Sequence, residues 1–304
     1  MASAVLSTKP SISIYEAVTA EIVAAIEAGA DTCIMPWHAG VVPMAMPRNA
    51  ATEMPYHGVN VVSLWATATT RLYHSGYWAS YEQWRRIGAQ VRKGERGTLI
   101  IFYKKLDGGS DEDARDAADA PRFVIRYSHV FNFAQVDGWE HPATRRPTEV
   151  ETIEQVEAFV RATGAEVRHG FSGASYGRAD DRIRMPAPSQ FTGTPTSSPT
   201  EAYYATLLHE LMHWTGAPHR LGRAQGASVG DLDYAFEELI AELGAAFLCS
   251  VFGIANSPRD DHAAYIAHWL EILGRDTKAV FRAASKAQEA VQYLQTIVAE
   301  RMRA

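Results

Sequence analysis

The sequence predicts an α+β protein of two domains, and three observations carry that expectation. At 304 residues it is well above the length at which a single core is marginal. Segments of helical period stand beside short runs rich in β-branched and aromatic residues in both halves. Between the halves, HPATRRPTEVE from residue 141 onward carries two prolines and reads as a linker. The boundary is expected near 141–150, giving domains at 1–142 and 150–304: an α+β unit first, then a small sheet with several helices.

Residues 12–29 (ISIYEAVTAEIVAAIEAG) have helical periodicity, with a stop near Gly29. A stretch rich in Pro and Met follows, from Pro36 to Pro55, too punctuated for regular structure. Helices fit 59–73 and 80–88, and strands fit 97–104 (GTLIIFYK) and 122–133 (RFVIRYSHVFNF), joined by an acidic loop read as solvated. In the second half a helix fits 151–163, and strands fit 165–168, 173–177 and 182–185. QFTGTPTSSPT (190–200) then leads into a helix over which Thr200 and Glu201 offer capping chemistry. Three more helices fit 231–252, 259–274 and 277–302.

Hydrophobic residues make up 47% and charged residues 21%, an ordinary globular mixture, and the net charge of −6 excludes a uniformly basic nucleic-acid binder. The average hides a contrast. Arg71 to Lys105 holds eight Lys/Arg against two Asp/Glu, whereas 107–119 holds six acids and one Arg. Two cysteines, Cys33 and Cys249, supply neither a disulfide framework nor a Cys-based zinc site; both read as reduced thiols, Cys249 as a buried one. No signal peptide or apolar stretch of membrane-spanning length is present, so the sequence reads as soluble and cytoplasmic, with no membrane partner.

HELMHWTGAPH, residues 209–219, carries the chemistry. Positions four apart share a helix face, so His209 and His213 can direct two imidazoles at one ion. Glu210 then lies beside the open position, where it can take a proton from an activated water. Leu207, Leu208, Leu211 and Met212 can pack the helix beneath the site.

The third ligand has three candidates. His219 completes H-E-x-x-H-x-x-G-x-x-H, the metzincin pattern, yet the only Met after Met212 is Met302, so a Met-turn is missing. EELIAELGAAFLCSVFG (237–253) supplies the rival. From Leu239 to Ile254 its one charge is Glu242, and a carboxylate on a helix apolar on nearly all sides needs a partner. Glu238 and Glu242 share a face, and a metal ion reconciles them: Glu238 binds it while Glu242 accepts the Nδ1–H of a ligand histidine. This gluzincin-type arrangement makes His209, His213 and Glu238 the expected ligands, Glu210 the base and Glu242 the orienting carboxylate, with Glu237 the remaining candidate. Gly216 and Pro218 then serve as a helix stop, and His219-Arg220 begin a surface loop. The expected ion is Zn2+, with Mn2+ or another divalent metal as alternatives.

These motifs resemble the ArdC family of plasmid and phage antirestriction proteins across nearly the whole sequence. The N-terminal half is similar to the family's single-stranded-DNA-binding domain in PWHAG (36–40), PRN (47–49), YHGVN (56–60), GYWASYEQWRRIGAQVRKGERGTLIIFYKK (76–105) and VFNFAQVDG (130–138). The C-terminal half resembles its zincin-like metallopeptidase domain in SYGRADDRIRMP (175–186), YYATLLHELMHWTG (203–216), EELIAELGAAFL (237–248) and AAYIAHWLEIL (263–273). The resemblance implies protection of incoming single-stranded DNA during conjugation, and kinship with Spartan-type proteases that act on proteins attached to DNA.

Residues 71–105 also combine cations with aromatics in their own right. Arg71, Arg85, Arg86, Arg92, Lys93, Arg96, Lys104 and Lys105 interleave with Tyr73, Tyr77, Trp78, Tyr81, Trp84, Phe102 and Tyr103. Cations that track phosphates and rings that stack on bases bind single strands with little sequence specificity. Trp78, Trp84 and Phe102 also fit a core, and Trp37 fits core packing and base stacking equally. Asn60 reads as a helix-start hydrogen bonder.

SYGRADDRIRMP is expected to form a hairpin turning at 178–181, and 173–177 or 182–185 could pair with an extended substrate. Tyr203, Tyr204, His262 and Tyr265 are candidates for an oxyanion donor. The leading expectation is a metal-dependent peptidase that binds single-stranded DNA, acting on a protein substrate or restriction enzyme that the sequence does not identify. Two readings compete with it: a non-proteolytic DNA-shielding or restriction-inhibiting protein with a structural metal site, and a nuclease. The His-rich site argues against the nuclease.

Overall fold

The computed structural model describes residues 13–32, 35–38, 45–105, 123–140, 148–194, 196–224, 232–256 and 262–303, with the backbone alone for 103–105, 123, 124 and 262–264. Cys33, the acidic loop and the linker at 141–147 fall outside them.

Two compact units emerge: Ala45–Arg145, and Met1–Met44 together with Arg146–Ala304. The expected division at 1–142 and 150–304 differs at its N-terminal end. Helix α1 (Ile14–Gly29) buries Val18, Ile22 and Ile26 within the C-terminal unit. There Thr19 Oγ1 donates to the Thr277 carbonyl at 2.6 Å, and the Tyr15 ring meets Phe281 edge-on at 4.8 Å. An amphipathic helix joins whichever unit covers its apolar face, and sequence order does not decide which.

Within Ala45–Arg145, helix α2 (Val59–Arg71) stops where Leu72 turns left-handed at φ 56°. Strands β1 (Arg48–Asn49), β2 (Tyr77–Ala79), β4 (Thr98–Lys105) and β5 (Phe123–Asn132) form a sheet in the order β1-β2-β5-β4. Short helix α3 (Tyr81–Arg86) lies between β2 and β3 (Gln90–Val91), which pairs with β6 (Val136–Asp137). Asn60 clamps α2 to β4: its Nδ2 donates to the Ile101 carbonyl at 2.7 Å and its Oδ1 accepts from the Ile101 N–H at 2.9 Å. That amide therefore serves the fold.

The other unit contains α4 (Glu149–Thr163), a sheet in the order β7-β9-β8, and four more helices. The strands are β7 (Glu166–His169), β8 (Ser175–Gly177) and β9 (Arg182–Met185). The helices are α5 (Pro199–Thr215), α6 (Leu232–Phe252), α7 (His262–Arg275) and α8 (Ala279–Arg303). Helix α6 is buried from Glu237 to Cys249, with α5 and α8 packed against it. Burial also pushes the Cys249 thiol pKa up, so it remains a protonated core residue. Gly244 permits the close approach of α5 and α6: a Cβ there would overlap Met212 Cε. Because Met212 is fully buried, it has no solvent into which to swing. Among the described residues no helix is long and apolar enough to cross a membrane.

Candidate metal centre and nucleic-acid face

Helix α5 begins nearly three turns before His209 with a capping box on Ser198, whose Oγ accepts from the Glu201 N–H while Glu201 Oε2 accepts from the Ser198 N–H at 2.9 Å. Thr200 is not the cap; Pro199 at the first helical position fixes the start two residues earlier than a Thr200 cap would. At the other end Gly216 keeps helical angles, φ −77° and ψ −7°, so the helix stops without a left-handed glycine. The chain turns back instead, with the Arg223 N–H donating to the Gly216 carbonyl at 3.0 Å.

Three donor groups converge between α5 and α6. His209, His213 and Glu238 place one ligand atom each within 4.8 Å of one another, the group among the described residues suited to a metal ion. His209 Nε2 and His213 Nε2 are 3.1 Å apart, and the Glu238 oxygens lie 3.4 Å from the first and 3.3 Å from the second. Ligands of one ion at bond lengths of about 2.0–2.1 Å stand about 3.3–3.4 Å apart, so two imidazole nitrogens at 3.1 Å with Glu238 Oε2 near one and Oε1 near the other suit one small divalent ion. Two imidazole lone pairs at 3.1 Å would otherwise repel, unless a cation or proton stood between them.

Glu210, Glu237, Glu238 and Glu242 are all buried. Burial would raise the Glu238 pKa, but His213 and His209 reverse that and hold it far below the carboxylate range. Burial likewise pulls His213 down, and the charge of Glu238, with Glu237 and Glu210 behind it, more than offsets this and raises it to about 10.

Each of the two imidazoles has a carboxylate at its back. His209 Nδ1 is buried with no hydrogen-bond partner, and Glu242 Oε2 stands 3.4 Å away, a small adjustment from a formed bond. His213 Nδ1 lies 3.4 Å from Glu237 Oε1. Glu237 is thus no ligand. It is held in a fork by Arg223, through Nε at 2.9 Å and Nη2 at 2.7 Å. A second anchor was equally absent from the sequence reading: Trp37 Nε1 and His38 Nε2 both reach Glu242 Oε1, at 3.1 and 2.9 Å. Buried in this role, Trp37 has no face for a base.

His219 lies outside the cluster. Its side chain is 63% exposed, 3.4 Å from Asp181 and 2.6 Å from Arg220 Nη1. Arg220 does not begin a surface loop. Its guanidinium sits 3.8 Å above the Trp214 ring and binds Asp181 Oδ2 at 3.0 Å and Tyr176 Oη at 3.0 Å. The C-terminal end of α5 is thereby tied to the β8–β9 hairpin turn, where Asp181 holds φ 54°. Of the two strands expected to meet a substrate, 182–185 is excluded: β9 is paired on both sides, with β7 and with β8. Strand β8 is the edge beside α5.

Among the expected oxyanion donors, Tyr203 is engaged with His169 at 2.8 Å and Tyr204 with Glu157 at 2.8 Å. Tyr265 is buried against Tyr234 and Trp269, and the His262 side chain lies outside the described residues. Tyr234, one helical turn before Glu238, is the phenol beside the cluster. Burial raises its pKa and Glu238 adds to the rise, so it stays a protonated donor. The i, i+4 spacing to Glu238 was the sequence signal for it.

The expected nucleic-acid residues divide by exposure. Trp78 (1% exposed) and Trp84 (0%) are core residues, a correction to their reading as stacking platforms. Trp84 packs among Ala79, Ala89, Val91 and Val136, and its Nε1 donates to the Phe131 carbonyl at 2.9 Å; Trp78 packs on Leu64, Ala68 and Val130. Tyr77 is half-buried against Trp139 at 5.3 Å. Exposed rings are Tyr81 (44%), Phe102 (47%) and Tyr127 (63%), the last absent from the sequence reading. Arg71 donates to the Arg96 carbonyl at 2.8 Å, and Arg85 pairs with Glu82 at 2.9 Å. Arg92 is tied into the fold by Glu95 at 3.0 Å and Asp137 at 3.3 Å. Arg86, Lys93 and Arg96 are exposed. The side chains of Lys104 and Lys105 lie outside the described residues. Arg92, Lys93 and Gly94 line an open depression of about 610 Å³ with Tyr81 and Gln90.

Comparison with known proteins also finds two domains, with a boundary that runs by sequence order and so assigns α1 to the N-terminal one. The N-terminal domain of anti-restriction factor ArdC matches residues 12–131, and a zincin-like metallopeptidase domain matches residues 154–286. The uncharacterised protein y4eC of Sinorhizobium fredii is 43% identical over 292 residues, 92% of this chain and 91% of that one. DNA primase TraC of Escherichia coli is 34% identical over 290 residues, 90% of this chain but 26% of the primase. Crystal structures of the antirestriction ArdC protein from plasmid R388, metal-free and Mn(II)-bound, superpose with a TM-score of 0.75 at 35% identity, over 94% of this chain and 98% of that one.

Proposed function

Because this chain belongs to the ArdC family of antirestriction proteins, we propose that it is a metal-dependent peptidase that also binds single-stranded DNA and protects incoming plasmid or phage DNA. His209 Nε2, His213 Nε2 and a Glu238 oxygen hold the ion, either zinc, which suits two imidazoles and a carboxylate, or manganese, as in the Mn(II)-bound relative. A divalent ion there supplies Lewis-acid polarisation of a carbonyl and lowers the pKa of water at its open position. Glu210 takes the proton of the attacking water on its carboxylate and hands it to the leaving amide nitrogen as the C–N bond breaks. Glu242 and Glu237 keep the Nδ1–H tautomer on His209 and His213, leaving each Nε2 lone pair for the ion. Strand β8 pairs with an extended substrate segment, and Tyr234 donates to the developing oxyanion. The observation that carries the peptidase reading is the convergence of three donor side chains with a buried carboxylate on the adjoining residue.

DNA binding rests on the exposed cations Arg86, Lys93 and Arg96 with the exposed rings Tyr81, Phe102 and Tyr127. The domain division is proposed as a DNA-binding unit at Ala45–Arg145 and a peptidase unit made of the rest. A second reading, a DNA-shielding protein with a structural metal, is favoured by one fact: the matching segment in TraC is a quarter of a DNA primase.

Glu210→Ala separates the two readings. The peptidase reading expects unchanged metal content, lost cleavage of an unfolded protein substrate and lost protection in a restriction assay. Full proteolysis by Glu210→Ala would overturn the mechanism. Protection that survives Glu210→Ala and is lost on changing Arg86, Lys93 and Arg96 to Glu would establish the shielding reading.

A further inference from the structure

We propose that Trp37 and His38, from the segment Met35–His38, are positioning residues for the metal centre, acting through Glu242 on the tautomer of His209. The inference rests on the metal reading above and assigns that segment a task no motif in it suggests.

Both side chains are buried, as is Glu242. The direction of each hydrogen bond follows from one fixed donor. The Met35 backbone N–H can only donate, and it meets His38 Nδ1 at 2.9 Å. His38 is therefore the neutral Nε2–H tautomer, and its Nε2 donates to Glu242 Oε1 at 2.9 Å. Trp37 Nε1, which can only donate, reaches the same oxygen at 3.1 Å, and Asn256 Nδ2 approaches it at 3.5 Å. With Oε1 engaged by these donors, the carboxylate is held with Oε2 facing His209 Nδ1, 3.4 Å away, where it can accept Nδ1–H and leave Nε2, the atom that faces Glu238 and His213, bare for the ion. Trp37 also packs on Trp269 at 6.1 Å, whose own Nε1 donates to the Ala235 carbonyl of α6 at 3.0 Å. The ring holding Glu242 is thus braced on the helix that carries it.

The test measures Mn2+ affinity by calorimetry on the full chain, with His209→Ala as the reference for the metal reading. Trp37→Phe and His38→Ala are expected to weaken binding roughly 10–100-fold, the range for lost outer partners of metal ligands. His38→Gln places an amide N–H where Nε2 was and is expected to restore affinity to within about 3-fold, whereas His38→Asn, which keeps only the acceptor facing Met35, is not. Wild-type affinity in Trp37→Phe and His38→Ala, or equal losses in His38→Gln and His38→Asn, overturns the positioning role alone. No bound metal in the wild type, or full binding by His209→Ala, overturns the metal reading and this inference with it. Should the His38 variants not fold, nitrogen-15 shifts of the His209 ring in wild type and Trp37→Phe decide. The wild type is expected to carry its proton on Nδ1, and Trp37→Phe to show both tautomers; an unchanged tautomer in Trp37→Phe overturns the proposal.

Discussion

Replacing Arg223 with methionine removes a guanidinium whose side chain is 3% exposed and whose loss strands a carboxylate. Arg223 gives Glu237 two hydrogen bonds, at 2.9 and 2.7 Å, and gives one each to Thr215 Oγ1 at 2.8 Å and the Met212 carbonyl at 2.7 Å. Breaking one side of a buried ion pair costs about 3–5 kcal/mol, because the remaining charge keeps its desolvation penalty. Replacing both, as Arg223→Met with Glu237→Leu, removes that penalty. Met212's carbonyl still accepts from Thr215 Oγ1 at 2.6 Å, so the double variant loses only about 1–2 kcal/mol. The double variant is therefore expected to be more stable than the single one, by roughly 2 kcal/mol. Its metal affinity is expected to fall roughly 10–100-fold, since His213 loses the carboxylate behind Nδ1. Urea unfolding in EDTA reads the first quantity and Mn2+ titration the second. Equal stability of the two variants, or an unchanged affinity in the double one, would refute this account of Glu237.

Further expectations follow from other residues. Hydrogen bonds from Arg220 outweigh burial and hold the Asp181 carboxyl at about 2 rather than 3.8, so its stabilising effect is complete above about pH 4 and is lost as pH falls towards 2. Because Asp181 is 42% exposed, screening reduces this to about 1 kcal/mol, and Asp181→Asn is expected to lower Tm by roughly 2–4 °C at pH 7, by about half as much near pH 3 and by almost nothing below about pH 2; a pH-independent difference would contradict the pairing. His219→Ala is expected to keep metal content and Kd within about 2-fold, and metal loss equal to that of Glu238→Ala would return His219 to the ligand set. Arg86→Glu, Lys93→Glu and Arg96→Glu together are expected to weaken oligothymidine binding and to reduce the slope of log K on log salt by about 2, measured by fluorescence anisotropy; an unchanged slope would place the phosphate track elsewhere. Trp84→Ala is expected to cost about 3–5 kcal/mol of stability in the unit that holds it, seen by urea unfolding, whereas a loss of DNA affinity without destabilisation would restore it as a stacking ring.

How much could be read beforehand depended on the range of the interaction concerned. Helix starts were legible only to within a few residues: the capping boxes of Thr148 with Glu151 and Ser198 with Glu201 are local, yet the sequence reading began the first helix at 151 and set the second cap on Thr200. That His209, His213 and Glu238 converge was legible, because i, i+4 spacing is local and a lone charge on an apolar helix demands a partner. Trp84 was not, since α3 has six residues, too few for periodicity to say which face is inward. The central place of β9 is a pairing fact, and strand order leaves little trace in a four-residue run. Least legible was the contact between His38 and Glu242, which spans 204 residues and uses a histidine that composition alone cannot distinguish from any other.

Glu237, Glu238 and Glu242 together explain how one helix can complete a cluster of metal-type donors begun on another. Glu238 and Glu242 are separated by about 40° around the axis, and Glu237 lies about 100° from Glu238 on the other side. The middle carboxylate therefore meets the Nε2 atoms of both histidines while the outer two stand behind one imidazole each. The cost is charge. Four buried carboxylates, counting Glu210, face one buried guanidinium, Arg223, so neutral imidazoles leave three negative charges in a region that cannot hold them unmatched. Either protons or a divalent cation must answer that field, and the elevated His213 pKa is the response in protons. Protons and metal then compete for the same nitrogen lone pairs, and the outer carboxylates hold each remaining ring proton on Nδ1, away from the ion. Their anchors, Arg223 for Glu237 and the Trp37–His38 pair for Glu242, come from chain segments far apart in sequence and identical in task.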